Sequence, residues 1–412
     1  MTSDAPVPGE AAREGAAAPT EIPANVPVSS TGHLPAKDQR LDVSVVMPCL
    51  DEAATVGICV AKARGWLAAS GLRGEIIVVD NGSTDDSPAI AGRAGARVVA
   101  EAARGYGKAL LRGFAEARGD VIVMGDADDT YDFSDLSSLV APLDYGADLV
   151  LGNRFLGGIA PGSMPFLHRY VGSPIIRRIL RVFFKVKVGD SQTGLRAFRR
   201  SLLGDLRLSS GGMELASEMI VQAVRGRRVI IEVPAPYSGR IGASKLNTVR
   251  DGWRHLRFLL VAAPDFLFIL PGVVLLTLGA LVFAVSFLWP SGVEVGSVSW
   301  QPIFAGAILV AIGANTLILG VVAKLHGVAA GLFEEDRLVR FYRRAFSLEA
   351  LLLFAVLLVA AGMGIDLALF AVWSSGSYVP VGLQLAALAQ TLLIVGAQLG
   401  VAAFLIVTVE SR

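Results

Sequence analysis

The chain has 412 residues, 53% of them hydrophobic, with 37 Lys and Arg against 36 Asp and Glu and a formal net charge of +1. A mean hydropathy of +0.57 excludes an ordinary soluble enzyme and directs attention to membrane spans, while the near-zero charge argues against a nucleic-acid protein held by bulk electrostatics. The two cysteines, Cys49 and Cys59, show no Cys-x-x-Cys and no nearby His spacing, so neither a zinc site nor a disulfide framework is indicated and both read as buried, inert thiols.

The length leaves room for two or three domains. Residues 1–40 are rich in Ala, Pro, Gly, Ser and Thr without apolar periodicity, which predicts a disordered tail. They lack the basic start and continuous apolar core of a signal peptide, so the folded part is expected to begin in the cytoplasm. Val43 to Met47 reads as a strand, followed by Pro48 to Glu52 and a helix from about Ala53 to Ser70. A second strand, Glu75 to Val79, ends in Asp80-Asn81-Gly82-Ser83-Thr84-Asp85. A third around Arg97 to Ala100 leads to Arg104-Gly105-Tyr106-Gly107-Lys108 and a helix to about Arg118. The fourth, Val121 to Met124, runs into Gly125-Asp126-Ala127-Asp128-Asp129-Thr130. Strand, polar loop and helix in alternation predict an α/β fold with a parallel sheet covered by helices.

Such a sheet binds ligands beyond the carboxyl ends of its strands. Asp80 and Asp126 fall at that edge, and carboxylates at alternate positions, Asp126 and Asp128, suit Mg²⁺ or Mn²⁺ beside a diphosphate. The plain alternative is an acidic helix N-terminus. Likewise Asp80 to Ser83 could be a turn, Gly82 could serve backbone conformation alone, and Lys108 could be solvated. Three loops of ligand-type chemistry on one edge favour a nucleotide-sugar and metal site.

Val-Val-Met-Pro-Cys-Leu-Asp-Glu, Val-Val-Asp-Asn-Gly-Ser-Thr-Asp, Gly-Tyr-Gly-Lys-Ala, Gly-Asp-Ala-Asp-Asp-Thr and Leu-Gly-Asn-Arg-Phe occur in this order. The set resembles the family 2 glycosyltransferases of GT-A (Rossmann-like) fold, and within them the polyprenyl (dolichyl) phosphate mannose and glucose synthases, over about residues 43 to 250. The resemblance implies that Pro48, Glu52 and Asp80 hold the base and ribose, with Gly82, Lys108 and Ala127 on the same donor side. It assigns Asp126 and Asp128 to the metal and diphosphate. Asn81 stands where many members carry a second Asp, and Thr130 where the mannose synthases often place Gln.

The resemblance also implies that Arg154 and the Arg169-x-x-x-Ser173 pair bind the lipid phosphate; a strand-end arginine pairing with a nearby carboxylate is the alternative. Residues 174–188 interleave Arg177, Arg178, Arg181 and Lys185 with large apolar residues, as an interfacial helix or a helix packed on the sheet would. Asp190 and Gln192 are placed near the donor sugar, or in a polar turn. Glu214 meets the sugar or favours a helix N-terminus. His168 and His255 read as hydrogen-bonded or solvated. Tyr237 to Leu246 resembles a loop closing over the diphosphate, with Arg240 and Lys245 as charge partners.

Asp251 to Phe258 reads as an interfacial anchor within a segment 251–265. Four spans follow at about 266–289, 303–323, 348–373 and 381–409, each exceeding the roughly 20 apolar residues a bilayer core requires. Residues 290–301 and 374–380 have no Lys or Arg, whereas the middle loop has Lys324, Arg337, Arg340, Arg343 and Arg344. The asymmetry predicts a four-pass inner-membrane protein whose catalytic domain (41–250) and both termini are cytoplasmic. Asp366, inside the third span, calls for a partner, with Gln384, Gln390, Gln398 and Asn315 as candidates.

The expected reaction moves a sugar, with inversion and a metal ion, from a UDP- or GDP-sugar to polyprenyl phosphate. Asp126, Asp128, Arg154 and Arg240 carry it. Two rivals stay open: a processive polysaccharide or glycolipid synthase, against which Gln222-Ala-Val-Arg225 is followed by Gly226 rather than Trp, and a lipid-linked sugar translocator with a nucleotide-sensing domain. Self-assembly into a homo-oligomer is left open.

Overall fold

The computed structural model describes residues 41–242, 248–295, 298–329 and 335–410. The tail expected over 1–40 and Lys245 lie outside the described residues. The first half is a strand–helix alternation: β1 Leu41–Cys49, α1 Val56–Ser70, β2 Gly74–Asp80, α2 Ser87–Ala94, β3 Arg97–Ala100, α3 Tyr106–Glu116 and β4 Gly119–Met124. It continues with α4 Ser137–Asp144, β5 Leu149–Asn153, α5 Arg154–Gly157, α6 Ser173–Phe184, β6 Arg196–Arg199, α7 Leu202–Asp205, α8 Leu215–Arg225 and β7 Ile230–Pro234. A π-helical turn, His168–Gly172, leads into α6.

The seven strands form one sheet in the order β3-β2-β1-β4-β6-β5-β7. It is mixed rather than wholly parallel: β6 runs antiparallel to both β4 and β5, and the other pairs are parallel. The expectation of a parallel sheet is corrected at that strand. After Asp190 the chain turns back at the ligand edge and enters β6 from there, so Arg196 pairs with Met124 and Leu151. Successive strands step outward from β1 to β3, and β4 then returns to the other side of β1. The order reverses between β1 and β4, where an open α/β sheet forms its ligand crevice. Both faces are covered. Val43, Val45 and Met47 pack under α1, α2 and α4, while Val46, Ile77 and Met124 pack under α3, α6 and α8. This two-sided burial explains why the strands read as continuous apolar runs.

Helix α9, Thr248–Val261, packs His255 and Leu259 inward and leaves Trp253, Arg254 and Arg257 exposed. Through a π-helical turn, Asp265–Ile269, it leads into α10 Leu270–Leu288. A hairpin follows, β8 Val293–Val295 with β9 Val298–Trp300, and then α11 Pro302–Ala329, α12 Arg337–Ala345, α13 Leu348–Ser374 and α14 Gly382–Glu410. Four segments, Asp265–Leu288, Pro302–Ala329, Leu348–Ser374 and Gly382–Val409, are long and apolar enough to cross a membrane. They pack closely through glycines: a Cβ at Gly279 would lie 2.7 Å from the Val310 nitrogen, and one at Gly362 2.7 Å from the Ala389 oxygen. Close backbone approach is the main source of helix association in lipid, where hydrophobic burial gives no advantage. Asp366 finds its partner in Gln390, at 2.7 Å.

Lys324 is helical and buried rather than part of a loop. Its ammonium contacts Asp265 at 2.6 Å and also pairs with Asp336, the N-cap of α12. This joins the entry to the first span to the basic helix between the second and third. Lys324→Met leaves two carboxylates facing each other without their cation. Because both are half-exposed, the expected cost is about 1–2 kcal/mol, read as a lower Tm of the purified protein in detergent; an unchanged Tm would show that the pair contributes nothing.

Candidate active site

The acidic turn after β4 is held from several sides. Thr55 Oγ1, just before α1, donates to the Ala127 carbonyl at 2.8 Å. Asp126 Oδ1 accepts from the Tyr106 hydroxyl at 2.8 Å. Asp128 is buried, and its Oδ1 accepts from the Thr130 hydroxyl at 2.6 Å and the Thr130 amide at 3.2 Å. Asp129, with φ of 58°, points away and pairs with Lys62 at 2.7 Å. The turn thus separates two carboxylates for the site from one that anchors α1.

Above them lies Arg240. Its guanidinium bridges Glu52 and Asp128, the latter at 3.4 Å, and its buried Nε has no hydrogen-bond partner among the described residues. The loop that carries it is fixed where the Ser238 amide donates to the Thr130 carbonyl at 2.9 Å. Glu52 is therefore engaged by Arg240, while its own amide is held by Ser87 Oγ at 2.7 Å. Pro48 is the penultimate residue of β1, and Asp80 Oδ1 accepts from the Ser83 amide at 3.0 Å. Gly82 has a φ of +84°, so its backbone does require glycine, and a Cβ there would meet the Arg104 guanidinium at 3.4 Å.

Asn81 has a structural task. Its Nδ2 donates to the Glu101 and Ala103 carbonyls at 3.0 and 2.9 Å, and its Oδ1 accepts from the Gly105 amide at 2.7 Å. An aspartate could not make both donations, which accounts for the amide at this position. Gly105 and Gly107 let α3 approach the 210–212 backbone: a Cβ on either would lie 2.3 Å from a carbonyl oxygen. The close approach brings Tyr106 to Asp126. Lys108 is exposed, with its stem against Gly211.

On the far side of Asp126, Arg154 forks onto Asp190. Nε and Nη2 donate at 2.7 and 2.9 Å, and the Arg154 amide adds a bond at 3.1 Å. Both residues are buried. Glu232 on β7 holds the Gly189 and Asp190 amides at 2.7 and 2.8 Å and the Asn153 side chain at 3.0 Å. Arg154 also lies 5.1 Å from the Tyr237 ring centroid. Arg169 instead lies over Tyr170, and Ser173 is buried at the start of α6. The Arg154–Asp190 fork realises the carboxylate-pairing alternative for Arg154. Asp190 serves as its counter-charge, and the main-chain N–H of Gln192 donates back to Asp190 at 3.3 Å.

Three contributors were not singled out from sequence. Tyr106 lay inside a motif read for its glycines. Glu232 is a lone acid in the apolar run Ile-Ile-Glu-Val, a pattern that signals an inward task. Arg196, fully buried, donates to the Thr193, Ala216 and Ser191 carbonyls at 3.0, 2.7 and 3.0 Å, stapling the 190–195 turn to α8. Burial pushes its pKa down to about 10, so it stays charged at neutral pH. Glu214 stands at the N-cap position of α8, but its side chain makes no capping bond to the helix; its Oε1 accepts from the Gly212 amide at 3.2 Å and its buried Oε2 has no partner among the described residues. The Cys49 and Cys59 thiols are buried, which pushes them up to about 11 and about 12.

An α/β sheet carrying such a polar edge and continuing into four apolar helices defines a membrane-bound enzyme. The chain belongs to glycosyl transferase family 2: the family's model matches residues 44–207, and the model of the family 2 C-terminal transmembrane region matches 321–410. The low-salt glycan biosynthesis hexosyltransferase Agl6 of Haloferax volcanii is 41% identical over 281 residues, 68% of this chain and 67% of that one. A dolichyl-phosphate hexose transferase of the same organism is 34% identical over 211 residues, 51% of this chain and 89% of that one. Among solved structures, glucosyl-3-phosphoglycerate synthase from Mycobacterium tuberculosis, in complex with Mn²⁺, UDP and glucosyl-3-phosphoglycerate, is 25% identical with a TM-score of 0.43, covering 54% of this chain and 80% of that one. The protein is a membrane glycosyltransferase related to dolichyl-phosphate hexose transferases.

The Asp126 carboxyl is pushed up to about 7, first by burial and then by the charge of Asp128; the Tyr106 hydrogen bond, Arg154 and Arg240 pull the other way. A carboxyl raised above its ordinary 3.8 contributes stability below that value and loses it as pH rises through about 7. In chelator-treated protein, Asp126→Asn is expected to raise Tm at about pH 8 and to change it little at about pH 4. A difference independent of pH would overturn this assignment of the strain.

Proposed function

We propose that the protein transfers a hexose from a nucleoside diphosphate sugar to polyprenyl phosphate at the cytoplasmic membrane surface, with inversion at the anomeric carbon. The observation that carries the reading is Arg240 bridging Glu52 and Asp128 at the crevice between β1 and β4. A cation on a loop there meets the negative charge of a diphosphate. The relatives named for hexose transfer to dolichyl phosphate support the acceptor class.

The donor set suits a divalent cation. Thr130 occupies Oδ1 of Asp128, while Oδ2 has the 3.4 Å contact with Arg240. Burial, and then the charge of Asp128, raises Asp126, and no group of three or more His, Cys, Asp or Glu that could hold a metal ion occurs among the described residues. Mg²⁺ commonly takes one or two carboxylates and completes its shell with phosphate and water. Bound by Asp126 and Asp128, Mg²⁺ or Mn²⁺ would supply positive charge to the departing diphosphate.

The chain's own residues do the rest. Pro48, Glu52, Asp80 and Gly82 line the base and ribose side, with Lys108 and Ala127 flanking the diphosphate. Asp190, fixed by Arg154 and Glu232, holds the turn that presents Gln192 to the sugar. An ionised acceptor phosphate needs little general-base help. One of its oxygens attacks the anomeric carbon, the bond to the diphosphate oxygen breaks, and the nucleoside diphosphate leaves with that electron pair while Arg240 stabilises its charge.

Arg169 and Ser173 orient the acceptor phosphate, while Arg154, neutralised by its fork onto Asp190, acts by holding that turn in place. Around them Phe166, Leu167, Tyr170, Val171, Ile175 and Val182 are exposed, an apolar rim suited to the bilayer surface and the isoprenoid. The chain divides accordingly into a catalytic part (41–250), an interfacial segment (251–265) and a membrane part (266–412). Lys324 ties α12 to the entry of the first span, and Arg337, Arg340, Arg343 and Arg344 put that side in the cytoplasm.

Radiolabelled transfer by purified protein, using UDP- and GDP-sugars, Mg²⁺ or Mn²⁺ and undecaprenyl phosphate, is expected to yield one chloroform-soluble, mild-acid-labile product. Nucleotide binding without a lipid product would overturn the acceptor. Asp128→Ala is expected to reduce turnover by at least about 10²-fold with the fold intact, and near wild-type turnover at saturating metal would sink the mechanism. Arg169→Ala should raise KM for the lipid acceptor about tenfold while leaving the donor KM unchanged; the opposite pattern would move Arg169 to the donor side.

A further inference from the structure

His255 is a buried imidazole, 4% exposed, on the helix that leads into the membrane. Its Nδ1 lies 3.2 Å from Ser217 Oγ on α8, and that same oxygen accepts from Gln192 Nε2 at 3.4 Å. Ser217 is fully buried. We propose that His255 is a positioning residue for the donor sugar: by holding the Ser217 hydroxyl it orients the Gln192 amide, and so ties the sugar side of the site to the membrane-lying helix. The inference rests on the placement of Gln192 beside the sugar.

Ser217 Oγ has two acceptor lone pairs and one proton, so its bond from Gln192 is compatible with either tautomer of His255. In the proposed chain the Ser217 proton goes to His255 Nδ1 and the imidazole proton sits on Nε2. Gln192 then commits one amide proton inward, and its carbonyl oxygen and second N–H are left for sugar hydroxyls. Burial favours the neutral imidazole that this arrangement needs. Asp251 on the same helix favours the charged form, while Arg196 on β6 and His168 on the π-helical turn oppose it.

The backbone on either side of Gln192 is already fixed by Arg196 and Asp190. What remains to be set is the side-chain amide, and Ser217 is the contact that sets it. The link runs outward as well. One turn of α9 carries His255 inward and exposes Trp253, Arg254 and Arg257, and Phe266 at the entry of the first span stacks on Phe183 of α6 at 4.6 Å. The amide that reads the sugar is therefore referenced to the same helix that lies along the bilayer.

Full-length protein in lipid nanodiscs tests this with His255→Leu, His255→Asn and Gln192→Ala, using UDP-glucose and GDP-mannose as donors and free UDP and GDP as binding probes. His255→Leu is expected to lower kcat/KM for the donor about tenfold, with the Kd of the free nucleotide unchanged. His255→Asn, which returns an acceptor near Nδ1, recovers most of the loss. Combining His255→Leu with Gln192→Ala adds nothing to the loss from Gln192→Ala alone. A folded His255→Leu protein with wild-type kcat/KM, an equal loss of free-nucleotide affinity, or an Asn variant as impaired as Leu would each overturn the proposal. Unchanged donor kinetics in Gln192→Ala would overturn the placement of Gln192 at the sugar instead.

Discussion

The burial of the Asp126 carboxyl at the end of β4, with Asp128 beside it, is the constraint around which the site is arranged. Removal from water disfavours the charged form of Asp126, and the neighbouring carboxylate adds to that cost. Each neighbouring element answers it differently. Tyr106 gives Asp126 a hydroxyl, Thr130 gives Asp128 a hydroxyl and an amide, and Arg240 brings a full positive charge from a loop more than a hundred residues downstream. On the proposed reaction, the residual negative charge attracts a divalent cation, and that cation together with Arg240 meets the diphosphate.

Delivering those partners depends on close backbone approach. Gly105 and Gly107 let α3 press against residues 210–212, and Gly194 leaves room for the Asp126 carboxylate, which a Cβ would meet at 2.5 Å. Asn81 pins the loop between β3 and α3 through three hydrogen bonds to main-chain groups. Behind this layer, the buried Asp190 and Arg154 and the half-buried Glu232 form a charged network in which each oxygen or nitrogen named above has a partner, the condition under which such networks rigidify a site. Arg196 does the same for the following turn using carbonyl oxygens alone.

Membrane attachment and catalysis share elements. Helix α9 packs on the catalytic sheet's helices through His255 and Leu259 and turns its aromatic and basic residues outward. Lys324 then draws Asp265 and Asp336 together at the same end of the helical bundle. On the proposed reaction, an acceptor with an apolar tail and an ionic head suits this arrangement, because the apolar residues around Arg169 lie on the part of the chain that packs against the entry to the first span.

Much of this was legible in sequence. Alternating apolar runs and polar loops announced the α/β sheet, continuous runs announced the four spans, and Asp80, Asp126 and Asp128 stood where strands stop. Those signals are local: strand burial, helix length and the position of a residue relative to a strand end are encoded within a few neighbours. What the sequence alone determined was the order of the elements and the edge of the sheet at which the polar loops gather. Only the tertiary structure decided that β6 runs antiparallel, that Arg154 is given to Asp190, that Asp129 belongs to Lys62 and that Arg240 reaches Glu52 and Asp128. Each of these choices is a pairing between charges or strands distant along the chain. A buried charge requires a partner, but several residues of the right sign could supply one, and only the packed backbone determines which comes within bonding distance.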